Sequence, residues 1–94
     1  MEMFNPPHPG EILLEECIKP LNMTISAFAL RIGTSRKNLS EIVNGKTGIS
    51  AEMALKLAKA LNTTAQFWLN LQLEFDLWQA KQSVNLDGIE PIAL

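Results

Sequence analysis

The residues best suited to bind a partner lie together between positions 35 and 46. Arg36, Lys37, Asn38, Ser40, Glu41, Asn44 and Lys46 are charged or hydrogen-bonding, and Leu39, Ile42 and Val43 among them are apolar. At about 100° per residue the three apolar side chains share one side of a helix, and Lys37, Ser40, Glu41 and Asn44 share the other. Asn38 lies on the flank, and Arg36 projects from the first turn. Such a face suits base edges in the major groove: Arg36 and Lys37 toward guanine, Asn38 toward adenine. The helix N-terminus adds free N–H groups and a positive dipole end, which favour phosphate. Asn44 and Lys46 follow the helix and are placed for the nucleic-acid backbone. Glu41 either accepts a hydrogen bond from cytosine or repels phosphate and sharpens specificity.

Other chemistry finds little support. His8 is the sole histidine. With Glu11 it makes at most half a metal site, and catalysis needs more convergent groups. It is read as the residue leading into the first helix, on a flexible N-terminus. No nucleophile has a plausible base, and no glycine-rich phosphate loop is present. Cys17 is the sole cysteine, so it forms no internal disulfide and reads as a buried apolar residue. No enzyme, cofactor or metal is expected.

The interface residues need a scaffold, and the chain is punctuated for helices. Thr24 is an N-cap for a helix to Ile32, with Ile25, Phe28, Ala29 and Ile32 at i, i+3, i+4 and i+7. Gly33 stops it, Ser35 caps the next helix, and Asn44-Gly45 ends that one. The short connection forces a steep crossing, which makes residues 24–45 a helix-turn-helix. Upstream, Asn5-Pro-Pro is an extended lead-in. Pro9 opens a short helix to about Cys17, with Ile12, Leu13 and Cys17 inward and Glu11, Glu15 and Glu16 outward. Pro20 closes that region. Downstream, Ser50 caps a helix whose stripe is Met53, Ala54, Leu57, Ala58 and Leu61. Thr64 caps the longest helix, about 65–82, and the tail 84–94 is irregular. The expected fold is all-α, a five-helix bundle forming one domain over 1–94.

Composition fits that reading. A hydrophobic fraction of 47% and a mean hydropathy of +0.07 belong to a globular chain. The longest apolar run, Ala27 to Leu30, is far short of the roughly 20 residues that cross a bilayer. The Met-Glu start has no basic stretch leading into an apolar one, so neither a signal peptide nor a membrane is expected, and the cytoplasm is. The net charge of −2 is unusual for a DNA binder. Its distribution is not. Glu2, Glu11, Glu15 and Glu16 oppose Lys19 at the start, and Glu74, Asp76, Asp87 and Glu90 oppose Lys81 at the end. Arg31, Arg36, Lys37 and Lys46 oppose only Glu41 between positions 31 and 46. Phosphate binding needs such a local basic surface, not a basic total. Glu11, Glu15 and Glu16 are either a solvated face or a surface for a basic partner.

The fifth helix bears on assembly. Phe67, Trp68, Leu71, Phe75 and Trp78 span one arc, and Leu69, Leu73 and Leu77 form a second stripe roughly opposite. One small domain covers one stripe. The other is left for a second copy or the tail, or the helix is buried all round. A two-fold dimer also suits paired half-sites about one DNA turn apart.

The stretch from Thr24 to Lys46 resembles the Xre, or Cro/cI-type, helix-turn-helix of lambda-repressor-like DNA-binding domains. The features that carry this are Thr24, Ala29, Gly33, Ser35, Leu39, Ile42 and Asn44-Gly45-Lys46. Members often place a DNA-contacting Gln after the Thr cap. Ile25 stands there, which removes that contact. A narrower resemblance runs from about Pro7 to Ser83. His8-Pro-Gly-Glu-Ile-Leu13, Gly48-Ile-Ser-Ala-Glu-Met-Ala-Leu-Lys-Leu-Ala58 and Phe67-Trp-Leu-Asn-Leu-Gln72 are similar to the HigA (VapI-type) antitoxins. That resemblance implies a homodimer that represses its own operon by binding double-stranded operator DNA. It also implies that the protein neutralises a small, basic, RelE-like toxin that cleaves mRNA. A stand-alone repressor without a toxin, or a toxin-neutralising protein with a vestigial DNA face, stays open beside it.

Overall fold

The computed structural model describes residues 5–93, so the start of the chain, Glu2 included, and Leu94 lie outside the described residues. The helices are α1 Pro9–Leu13, α2 Ile25–Ile32, α3 Arg36–Val43, α4 Ala51–Leu61 and α5 Ala65–Ser83. Among the described residues there is no strand. The architecture is an all-α five-helix bundle.

The first helix ends near Cys17, as expected, but its second half is not α-helical. After Leu13 it widens into a π-helical segment, Leu14–Ile18, and Lys19 N–H bonds Leu14 C=O at 3.0 Å. The wider turn brings Leu13 and Ile18, five residues apart, into the core together at 0% and 1% exposure. Cys17 and Ile12 are consequently only half-buried. Burial, helped by the Glu16 carboxylate, pushes the Cys17 thiol pKa up, which makes it a poor nucleophile.

Local hydrogen bonds set the other helix ends. Thr24 Oγ1 accepts from Ala27 N–H, Ser35 Oγ from Asn38 N–H, Ser50 Oγ from Met53 N–H and Thr64 Oγ1 from Phe67 N–H, all at 3.0–3.1 Å. Gly33 ends α2 in the left-handed region at φ 72°, and Thr34 N–H bonds back to Ala29 C=O at 3.0 Å. Three residues thus join α2 to α3. The core between them is Phe28, Ala29, Leu39 and Ile42, closed by Leu13, Met53, Leu57 and Trp68. Burial of each large side chain contributes about 1.5–3 kcal/mol. Trp68 is fully buried, and its indole N–H donates to Thr63 Oγ1 at 2.8 Å.

The bundle is not round. Its radius of gyration is 16.0 Å and its extents are 52 × 24 × 23 Å, against about 12 Å for a compact chain of this length. The excess comes from the end of α5 and from the tail, which is exposed throughout residues 84–93.

Helix α1 meets α3 backbone to backbone. A Cβ at Gly10 would stand 1.8 Å from the Ile42 carbonyl oxygen. Gly10→Ala should therefore lower the unfolding free energy in urea by about 2–3 kcal/mol. Gly33→Ala, strained by its φ but facing open space, should cost about 1–2 kcal/mol. Equal, small losses in both would show that α1 does not approach α3 this closely.

Candidate nucleic-acid interface

Two fully or nearly buried anchors, Leu39 and Ile42, seat α3 in the core. Val43, expected inward with them, is half-buried. The opposite face is polar and open. Arg36, Lys37 and Asn38 are exposed along the first turn, and Asn44 and Lys46 are exposed beyond the last. Ser40 and Glu41 are half-buried. Asn38 Nδ2 donates to Thr34 Oγ1 at 2.8 Å. Its amide oxygen and one N–H stay free, the pair that a bidentate contact to adenine requires. Asn44 Nδ2 donates to Ser40 Oγ at 3.3 Å, so these two present one joined polar surface. Ile25 is half-buried, packed against the core.

The segment after α3 is held from several sides. Gly45 is left-handed at φ 75°. The N–H groups of Lys46 and Thr47 both donate to Glu41 C=O, at 2.8 and 3.3 Å. Glu41 therefore has a role that its charge did not suggest, since its backbone carbonyl folds the segment bearing Lys46 back onto α3. On α4, Lys56 Nζ donates to Gly33 C=O at 3.1 Å and pairs with Glu52 at 3.3 Å, so it braces the turn between α2 and α3.

His8 corrects the sequence reading. It is not on a flexible end. Its Nδ1 accepts from Gly10 N–H at 2.9 Å and caps α1. Its ring meets Phe75 of α5 edge-on, with centroids 4.8 Å apart, and it lies beside Gly45. One side chain thus joins the start of α1, the end of α3 and the middle of α5. Burial lowers its pKa, against the opposing pull of Asp76, a hydrogen bond to the Thr47 backbone and Glu11. The neutral ring is the form that can accept from Gly10. Gln72, which the sequence marks only as the end of the Phe67–Gln72 stretch, is a second such tie. Its Oε1 accepts from Ile49 N–H at 2.7 Å, and its Nε2 donates to Asp76 Oδ1 at 2.9 Å.

Helix α5 does not show two equivalent stripes. Trp68 is its only fully buried residue, and Leu71, Phe75 and Trp78 are half-buried. Phe67, expected on the same arc, is exposed. Leu69, placed with Leu73 and Leu77, packs partly on the chain's own core. Leu73 and Leu77 remain 55% and 46% exposed, and Val84 and Leu86 continue that apolar surface into the tail.

A short buried-and-polar third helix, set across its neighbour by a three-residue turn, is the arrangement of a helix-turn-helix. Residues 14–68 match the helix-turn-helix family HTH_3. The chain belongs to this Xre-type helix-turn-helix family. Among curated relatives of the family, it is 47% identical over 74 residues to an HTH-type transcriptional regulator of Haemophilus influenzae, covering 79% of this chain and 69% of that protein. It is 40% identical over 72 residues to antitoxin HigA-1 of Vibrio cholerae, covering 77% and 68%. Among solved structures, antitoxin GraA in complex with its operator superposes with a TM-score of 0.88 at 38% identity, covering 100% of this chain and 97% of that one. The protein is thus an Xre-type helix-turn-helix protein with antitoxin relatives. In the described part of this family member, no helix is long and apolar enough to cross a membrane.

A histidine whose folded pKa is lowered binds fewer protons folded than unfolded. The stability it contributes is present above the unfolded value of about 6.5 and is lost as pH falls below it, through the folded value. Urea unfolding at pH 7.5 and pH 5 should show a larger acid loss in the wild type than in His8→Asn, which retains a capping acceptor but does not titrate. Parallel losses in the two proteins would exclude His8 as the source.

Proposed function

We propose that this protein is the antitoxin of a type II toxin–antitoxin pair: a cytoplasmic repressor, without catalysis, that binds operator DNA of its own operon as a homodimer. The observation that carries the reading is the exposed polar face of α3, held rigid by Leu39 and Ile42 on a fold that GraA, bound to its operator, shares over its whole length. On this reading Arg36 and Lys37 donate to guanine, and Asn38 pairs with adenine through the part of its amide that Thr34 leaves free. Ser40, Asn44 and Glu41 border the groove, and Lys46 meets phosphate. The positive charge is local, so each half-site is bound modestly and pairing of two copies supplies the rest.

The second copy would cover Leu73 and Leu77. Leu69 contributes less, because its own core already covers part of it. The toxin, on this reading RelE-like, mRNA-cleaving and basic, would meet the acidic surface of Glu11, Glu15 and Glu16, all exposed on the first helix. The relation to a transcriptional regulator of Haemophilus influenzae favours a second reading, a repressor without a toxin. A neighbouring gene for a small basic protein, and its copurification with this chain, separates the two.

In gel-shift titrations on the DNA upstream of its gene, Lys37→Ala should cost about 1–3 kcal/mol and relax one base preference. Lys46→Ala should weaken all sequences alike and reduce the salt slope by roughly one. Unchanged binding by both variants would remove α3 from the interface. In sedimentation equilibrium, Leu77→Glu should shift the chain to monomer, by placing a charge in the apolar contact. A variant that dimerises like the wild type would place the second copy elsewhere.

A further inference from the structure

We propose that Gln72 is a positioning residue for the DNA-binding surface: from α5 it holds the segment that follows α3 and so sets where Lys46 stands. The inference rests on the reading of α3 and Lys46 as a DNA interface. Residues 44–49 carry no regular structure of their own and must be held by their ends. At the α3 end, the Glu41 carbonyl takes the N–H groups of Lys46 and Thr47. At the α4 end, Ile49 N–H donates to Gln72 Oε1, at 2.7 Å and across 23 residues of sequence. Gly48 lies against the same amide, so closely that a Cβ there would stand 2.9 Å from Gln72 Cδ. The Gln72 amide is itself oriented, because its Nε2 donates to Asp76 Oδ1 at 2.9 Å.

The direction of that chain matters. Asp76 only accepts when ionised, Ile49 N–H only donates, and an amide between them satisfies both. A carboxylate at position 72 has the acceptor that Ile49 needs, but like charge on Asp76 would push it away from that N–H. Exchanging the two groups restores the pattern, since a carboxylate at 72 accepts from an amide at 76. That exchange leaves the net charge of the protein unchanged, so it separates hydrogen bonding from bulk electrostatics. Because Gln72 lies one residue from Leu73, the same stretch of α5 faces the loop on one side and the proposed second copy on the other. Dimer packing and the position of Lys46 are therefore tied to one helix.

Two measurements test this on the full chain, each at a temperature where the wild type and variants remain folded by circular dichroism. In amide hydrogen exchange without DNA, Ile49 should exchange at least about tenfold faster in Gln72→Glu, and return to the wild-type rate in Gln72→Glu/Asp76→Asn. In titrations of a duplex from upstream of the gene, Gln72→Glu should bind about tenfold more weakly, about 1.4 kcal/mol, with a flattened salt slope. The double variant should recover both. If Gln72→Glu does not fold, Gln72→Asn, which shortens the amide without adding charge, replaces it, and no rescue by Asp76→Asn is then expected. Unchanged Ile49 exchange in the single variant, no recovery in Gln72→Glu/Asp76→Asn, or recovery of Gln72→Asn by Asp76→Asn overturns the proposal. If the wild type fails to bind the duplex while the exchange pattern holds, the reading of α3 as a DNA interface has failed and the clamp has not.

Discussion

At Gly10 the backbone of the first helix rests on the carbonyl of Ile42, with no side chain between them. The position of α3 follows from that contact. Leu39 and Ile42 enter the core from one side of α3, and the close approach of α1 brings Leu13 in to help cover them while the other side stays in solvent. A side chain at position 10 would push the two helices apart and open the core beneath the polar face. His8 and Pro9 belong to the same device. They start α1 at the point where Gly10 must meet α3, through a capping nitrogen and a backbone already suited to a first helical turn.

The segment after α3 depends on contacts from three directions. Its own helix supplies the Glu41 carbonyl, the N-terminal helix supplies His8 beside Gly45, and α5 supplies Gln72 directly and Phe75 as backing for the His8 ring. Each is modest alone, since a hydrogen bond nets about 0.5–1.5 kcal/mol. Together they limit the freedom of a segment with no ladder or helix to order it. Helix α5 serves two ends. Its first turns sink Trp68 into the core and Phe75 still meets His8, while Leu73 and Leu77 carry an exposed apolar surface toward Val84 and Leu86 of the tail.

Charge is partitioned among these elements. The exposed cations Arg36, Lys37 and Lys46 lie on and just after α3, whereas Glu11, Glu15 and Glu16 occupy the first helix. Glu15 is already paired with Lys19 at 2.7 Å, an exposed pair that contributes little to stability. An acidic protein can thus present one basic face, because over distances beyond about 10 Å salt screens the rest.

The sequence by itself determined what is local. The apolar periods of α2, α3 and α4 and the stop at Gly33 depend on residues at most a few positions apart, so they could be read directly. So could the helix-turn-helix, whose crossing follows from a three-residue connection. The tertiary structure decided what depends on distant neighbours. The π-helical widening after Leu13 exists because Leu13 and Ile18 must both reach the core, and no period within the first helix announces that. His8 reads as a loose end until Phe75 and Gly45 are placed around it. Gln72 has no role in any period of α5 until Ile49, 23 residues away, presents an N–H for its amide oxygen. Leu69 reads as one of three equivalent leucines until its own core covers it and leaves Leu73 and Leu77 in solvent.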